Sequence, residues 1–270
     1  MIINPPLIDG INLGFISLKF YALGYLIGFF LVYRFFMADL LWARVVLVKE
    51  EALGIGLWIF LGGIIGARLY HILTSLNIYF IEYRPDLLAM LNMRNGGLGI
   101  PGGLFGGLLA GYLRIKLVKD REFSFVTIAD LILPNILIAQ SIGRVGNYFN
   151  QELYGRPLNT GLRLMVEPEF RPENLQNIST YHPTFLYEAS GCLFFFLLYR
   201  LYFKFKLIKA GSAAGFYFLT YGIVRLIVES FRIDWAPEIL GQRINSWVSV
   251  LLIVIGLLLL TKNFISKKLT

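Results

Sequence analysis

The chain has 270 residues, 57% of them hydrophobic and 16% charged, with 25 Lys plus Arg against 17 Asp plus Glu and a net charge of +8. Soluble domains carry about 25% charged and roughly 45–50% apolar residues, so this composition excludes disorder, a disulfide scaffold and most soluble enzymes, and points to an integral membrane protein. A lone cysteine, Cys192, excludes an internal disulfide and a cysteine-based metal cluster. The surplus of cations in such a chain marks cytoplasmic loops rather than nucleic acid binding.

Seven apolar stretches, near 17–37, 52–73, 96–118, 126–145, 185–203, 213–231 and 245–262, suit a hydrocarbon core that takes about 20 helical residues to cross. The first is not read as a cleavable signal peptide, because no Lys or Arg precedes Lys19. It carries Tyr21 near its start. The second holds Gly62, Gly63 and Gly66 and ends near Arg68 and His71. The third reads NGGLGIPGGLFGGLLAG, with Gly99, Gly103, Gly107 and Gly111 at spacing four. Such a face lets helices approach closely. No Gly-Lys-Ser/Thr follows, so this is no phosphate-binding P-loop. The Ile-Pro-Gly-Gly step is a place where the helix can break and expose backbone amides.

The fourth span has Asp130 in its inner half and Arg144 at its outer end. A connection of nearly 40 residues, 146–184, follows; Tyr148, Phe149, Leu153, Tyr154 and Phe170 predict a folded cap at the membrane surface. His182, Tyr187 and Glu188 open the fifth span, in which Cys192 reads as an inert packing thiol. The sixth carries Tyr221, Arg225, Glu229 and Arg232 on one helical face.

Charge sets the expected orientation. With the N-terminus outside, the cytoplasmic segments hold Arg34, Arg44, Lys49, Arg114, Lys116, Lys119, Arg121, Arg200, Lys204, Lys206, Lys209, Lys262, Lys267 and Lys268. The outer side holds only Arg84, Arg94, Arg156, Arg163, Arg171, Arg232 and Arg243. The positive-inside bias therefore predicts an external N-terminus and a cytoplasmic C-terminus. Lys19, Arg68, Arg144 and Arg225, with Asp130, Glu188 and Glu229, lie in or at the edges of spans, where each ionisable group needs a partner, a wet cavity or a job. All but Asp130 fall at the outer level. Arg144 and Arg225 form a natural clamp for a phosphate; the alternative reading is an Arg225–Glu229 ion pair that only lowers the insertion cost. Two distant histidines make no metal site, and no metal or cofactor is expected.

The segment Gly143–Arg156, GRVGNYFNQELYGR, closely resembles the signature of the prolipoprotein diacylglyceryl transferases. The likeness extends through Gly66-Ala67-Arg68-Leu69-Tyr70-His71, the third span, the His182–Glu188 block and the Tyr221–Arg232 block, in the family's order and over most of the chain. The resemblance implies an all-α integral membrane protein of the bacterial cytoplasmic (inner) membrane. Its single domain, 1–270, would be a bundle of seven transmembrane helices with an extracytoplasmic cap, 146–184, between spans four and five. The implied reaction moves the diacylglyceryl group of phosphatidylglycerol to the lipobox cysteine of a preprolipoprotein signal peptide, forming a thioether and releasing glycerol phosphate. The implied partners are those two substrates and membrane lipid, with no nucleic acid.

Carried onto this chain, the motifs assign catalysis to Arg144, Arg225, Asn147, Glu152 and Tyr21. Substrate binding falls to Arg144, Glu229, Asn150, Gly155, Arg68, His182 and Glu188. One departure stands out: many relatives have histidine immediately before the Gly-Gly of span three, where this chain has Pro101. That leaves another base, with His182 and Glu188 as the candidates, a pre-formed thiolate, or activation of the thiol by the arginine field alone. A lipid transporter shares the intramembrane charges and glycine-broken helices, but the odd span number, the lack of a visible repeat and the one-sided polar cluster disfavour it. The dense 144–156 signature disfavours a scaffold without chemistry.

Overall fold

The apolar stretches fold as helices. The computed structural model describes residues 1–6, 8–12, 17–74, 99–119, 122–205, 209–234 and 236–265. The expected start of span three at 96–98 and the cations Arg84, Arg94, Arg121, Lys206, Lys267 and Lys268 lie outside these residues. Among the described residues there are seven α-helices: α1 (Phe20–Trp42), α2 (Lys49–Thr74), α3 (Ile100–Leu117), α4 (Phe125–Phe149), α5 (Thr184–Leu201), α6 (Ser212–Glu229) and α7 (Ile244–Ile265). Five of them, α1, α2, α4, α5 and α7, are long and apolar enough to cross a membrane. The other two have 18 residues each; glycine dilutes α3, and α6 carries Arg225 and Glu229. Exposed Leu26, Phe30, Leu61, Phe105, Leu251 and Leu258 give the helices an apolar outer surface, which suits lipid rather than water. The protein is an α-helical, multi-pass integral membrane protein. The strands among the described residues are two or three residues long.

The chain divides into two compact units, Met1–Phe36 with Val126–Thr270, and Met37–Phe125. In the second unit, α2 and α3 pack through glycine. A Cβ added to Gly66 would lie 2.8 Å from the Cα of Gly106, and one on Gly62 would lie 2.8 Å from the Gly106 carbonyl oxygen, so only hydrogen fits there. The period of four is as expected, but the closest approach centres on Gly102 and Gly106 rather than on the Gly99–Gly103–Gly107–Gly111 stripe. Glu51 in the first turn of α2 pairs with Arg114 in the last turn of α3. The Ile-Pro-Gly-Gly step does not interrupt α3: Gly99 is its N-cap and Pro101 lies in its first turn, where a missing N–H costs no helical hydrogen bond.

In the first unit, α4 meets α1 at Gly146, where an added Cβ would stand 3.2 Å from the Tyr21 Cα. Leu137, Cys192, Phe196, Tyr217, Tyr221, Val224 and Leu252 form one buried cluster across α4, α5, α6 and α7. Asp130, the odd acid of the inner half, has a structural job. Its carboxylate accepts the Gly211 and Ala214 N–H groups at 2.6 and 2.7 Å, capping the start of α6, where Gly211 takes φ +84°.

The long connection after α4 is folded, and its first four residues, 146–149, continue the helix. β1 (Ile2–Ile3) pairs in parallel with β4 (Arg163–Met165), and β4 pairs antiparallel with β5 (Thr180–Tyr181); β2 (Gly10–Asn12) and β3 (Ser17–Lys19) form a separate hairpin. Tyr154, Leu164, Val166, Tyr181 and Phe185 make a small core beneath this sheet. Burial pushes the Tyr154 phenol up to about 12, and its hydroxyl donates to the Phe170 carbonyl. A second hairpin, β6 (Glu238–Ile239) with β7 (Gln242–Arg243), leads directly into α7.

Candidate active site

Ionisable side chains from three helices meet inside the first unit. α4 supplies Arg144 and, one turn on, Asn147. The second turn of α5 supplies Glu188, and α6 supplies Tyr221, Arg225 and Glu229 on one face. Glu188, 2% exposed, stands between the two arginines. Its Oε1 is 3.0 Å from Arg144 Nη2 and its Oε2 3.1 Å from Arg225 Nη1, while the Tyr221 hydroxyl donates to Oε1 at 3.4 Å. Arg225 Nη2 lies 2.5 Å from Glu229 Oε2. The other Glu229 oxygen accepts Arg243 Nε at 2.6 Å and Asn245 Nδ2 at 3.2 Å.

The network also runs outward from Arg144. Arg144 Nη1 donates to Asn147 Oδ1 at 3.1 Å, and Asn147 Nδ2 donates to Glu152 Oε1 at 2.9 Å. Asn150 Nδ2 reaches the same Glu152 oxygen at 3.0 Å. At the other end Arg232 grips Asp234 with two bonds of 2.6 and 2.8 Å. Burial raises the Asp234 carboxyl, but the Arg232 hydrogen bond and the charges of Arg232, Arg243 and Arg225 outweigh it and hold the group below the usual carboxylate range. Cations and anions thus alternate from Glu152 to Arg232, which is how so much charge stays buried without a lone uncompensated group.

Seven of the expected site residues, Arg144, Asn147, Asn150, Glu152, Glu188, Arg225 and Glu229, therefore belong to one network. Glu188 changes the expected clamp, because the arginines meet through its carboxylate. Both of its oxygens are engaged, Oε1 by Arg144 and Tyr221 and Oε2 by Arg225. Tyr21 packs against Gly146, and its hydroxyl pairs with that of Tyr25. Arg68 is buried on α2 in the Met37–Phe125 unit.

Gly155 and His182 form a joint. Gly155 N–H donates to the His182 carbonyl at 2.9 Å, and His182 N–H donates to the Arg156 carbonyl at 3.0 Å. A Cβ on Gly155 would meet His182 Cβ and Thr184 Cγ2 at 2.8 Å and the Phe231 carbonyl at 2.9 Å. The glycine is required by space, and its neighbour Arg156 is bonded to the end of α6 through the Phe231 carbonyl. His182 Nδ1 lies 3.1 Å from the Tyr187 hydroxyl, and burial and the Arg156 charge depress its pKa below the ordinary imidazole value. A narrow cleft beside the network, with no room for a water molecule, is lined by Arg144, Asn147, Thr184, Glu188 and Arg232 together with Leu153, Phe185 and Val228. Among the described residues no group of three or more His, Cys, Asp or Glu side chains is disposed to hold a metal ion.

The profile of the prolipoprotein diacylglyceryl transferase family matches residues 10–262. The chain belongs to this family. It is similar to the phosphatidylglycerol–prolipoprotein diacylglyceryl transferase of Bifidobacterium adolescentis, with 37% identity over 94% of this chain and 77% of that protein. Relatives of the same name from Streptococcus suis, 32% identical over 92% of this chain and 89% of the relative, and from Thermotoga maritima, 35% identical over 75% and 68%, also match. For a member of the diacylglyceryl transferase family, the residues missed from the sequence are Arg243, Asn245 and Asp234. The signal was present as an Arg-x-Asn pair at the mouth of the last span, level with the Arg225–Glu229 end of α6.

Proposed function

We propose that this chain is a phosphatidylglycerol–prolipoprotein diacylglyceryl transferase and that the Arg144–Glu188–Arg225–Glu229 network with its adjoining cleft is the active site. The observation that carries the reading is the pair of arginines, Arg144 and Arg225, fixed on the one buried carboxylate of Glu188, in a member of this family. In the reaction, the thiolate of the lipobox cysteine attacks the glyceryl carbon bonded to the phosphate oxygen. A carbon–sulfur bond forms, the carbon–oxygen bond breaks with its electron pair going to phosphate, and the thiol proton is released. Glycerol phosphate leaves with one more negative charge than the phosphodiester carried. Arg144 and Arg225 stabilise that charge, in a site where fixed donors outperform water. Glu188 and Glu229 set the planes of the two guanidiniums. Asn147 ties Arg144 to Glu152, and Tyr21 flanks the headgroup beside Gly146.

In this reading His182 and Gly155 fix the joint between the 150–183 segment and α6 rather than transfer protons. The thiol, whose free pKa is near 8.5, is activated by the arginine field, which also suits Pro101 in place of a histidine. The seven helices are seven spans with the N-terminus outside and the C-terminus in the cytoplasm of a bacterial inner membrane, and 146–184 is the extracytoplasmic cap. Lipid enters sideways, and the signal peptide arrives from the bilayer.

The test is purified protein in phosphatidylglycerol vesicles with a synthetic lipobox peptide, read by mass spectrometry. A diacylglyceryl adduct on the cysteine, absent from a Cys→Ser peptide, is the expected result. No adduct from folded protein, with a working relative as control, overturns the reading.

A further inference from the structure

We infer that Arg243, assisted by Asn245, is a positioning residue that fixes the Arg225 guanidinium through Glu229; the inference rests on the transfer reaction proposed above. Arg243 stands in the sequence only as one more outer-side cation, outside the blocks that carry the family likeness. In the structure it closes the network from the far side. The two oxygens of Glu229, whose side chain is 1% exposed, are divided between two elements. Oε2 faces Arg225 one helical turn away on α6, and Oε1 is held by Arg243 and Asn245 at the entrance to α7.

Arg243 is itself anchored. Its Nη1 donates to the Asp234 carbonyl at 2.6 Å and its Nη2 to the Asp234 carboxylate at 3.2 Å, and that carboxylate is gripped by Arg232. The backbone supports the same placement. Leu240 and Gly241 both take positive φ, +51° and +73°, in the two-residue turn of the β6–β7 hairpin, a turn that usually demands glycine or asparagine. Ile244 N–H then donates to the Pro237 carbonyl at 2.8 Å, so the hairpin delivers Arg243 to one place.

A contact at one oxygen alone leaves the plane of the Glu229 carboxylate unset. Anchoring the opposite oxygen fixes the plane of Glu229, and with Glu188 on Nη1 the Arg225 guanidinium is held by a carboxylate at each Nη. Arg225 keeps its charge without Arg243 but loses its alignment. Ground-state attraction for the phosphate therefore survives while alignment on the departing oxygen does not.

The test is steady-state transfer by the full chain in phosphatidylglycerol vesicles with a lipobox peptide, comparing wild type, Arg243→Gln, Arg243→Lys, Asn245→Ala, Glu229→Gln and the Arg243→Gln/Glu229→Gln double variant. Thermal unfolding identifies which variants fold. Misplacement by about 1 Å costs on the order of 100-fold, so Arg243→Gln is expected to lower kcat by about 10- to 100-fold with KM for phosphatidylglycerol within about threefold of wild type. Arg243→Lys restores part of kcat, and Asn245→Ala lowers it by a few-fold. The double variant is no slower than Glu229→Gln alone, because both changes act through the same carboxylate. The inference is overturned by wild-type kcat in Arg243→Gln, by a loss confined to KM, or by full additivity with Glu229→Gln. If Arg243→Gln does not fold, wild-type kcat in both Arg243→Lys and Asn245→Ala overturns it. Absence of transfer by wild type overturns the proposed reaction and this inference with it, whereas active wild type with an indifferent Arg243 overturns this inference alone.

Discussion

Replacing Glu188 with glutamine probes the centre of the site with little change of shape. Glu188 is 2% exposed and accepts from Arg144 at 3.0 Å, Arg225 at 3.1 Å and the Tyr221 hydroxyl at 3.4 Å. The amide keeps one acceptor oxygen but turns an NH2 donor toward one of the guanidiniums, and it removes the negative charge between two buried cations. Breaking a buried ion pair from one side costs about 3–5 kcal/mol. The double engagement of Glu188 places it at the upper end of that range, offset in part by the acceptor that remains. For a chain of this size each kcal/mol moves the unfolding midpoint by about 2–4 °C, so a fall of roughly 6–20 °C is expected. The assay is thermal unfolding of wild type and Glu188→Gln in the same detergent, followed by tryptophan fluorescence and by transfer activity after recooling. A fall of less than about 3 °C would refute the claim that Glu188 is the anion on which both arginines depend.

Asn147→Ala cuts the link between Arg144 and Glu152 and should slow transfer by about 10- to 100-fold, as expected when a charge-assisted hydrogen bond worth about 1.5–3 kcal/mol is lost; adding Glu152→Gln should cost little more, and additive losses would show that the three residues do not act as one relay. Gly155→Ala forces a methyl to within 2.8 Å of His182 and Thr184, so about 1–3 kcal/mol of stability should be lost; an unchanged unfolding midpoint would contradict the packing role. Asp234, held below its ordinary range mainly by Arg232, contributes stability that is present above its unfolded pKa of about 3.9 and is lost as pH falls through the lower folded value. The stability difference between wild type and Asp234→Asn should therefore be full at pH 7 and shrink below about pH 4; a difference independent of pH would argue against an ionised Asp234 in the network.

What was legible in the sequence divides along a physical line. Helix positions follow from hydropathy, and the Arg225–Glu229 pair follows from helical spacing, because both depend on neighbours within one element. The bridge made by Glu188 is different. It joins residues from α4, α5 and α6, and no spacing along the chain announces which carboxylate stands between two arginines. The same limit hid Arg243, whose role depends on a hairpin turning back onto the end of α6. The glycine stripe of α3 shows an intermediate case. Its period of four is visible, but the choice of Gly102 and Gly106 as the contact line belongs to the partner helix α2. Asp130 was recognised as out of place, yet its function as a cap for α6 needed the position of Gly211. The family likeness pointed to candidate residues, and the geometry joins seven of them in a charge-balanced chain rather than an open clamp.

The most direct test of the account is a single-turnover measurement of both products. Wild-type protein in vesicles of phosphatidylglycerol labelled in its headgroup glycerol is mixed with a lipobox peptide, and thioether and labelled glycerol phosphate are quantified over time. The account predicts that the two appear together in equal amounts, and that Arg144→Ala and Arg225→Ala proteins that remain folded lose both products severely. Thioether without glycerol phosphate, or near-normal turnover in both variants, would contradict it.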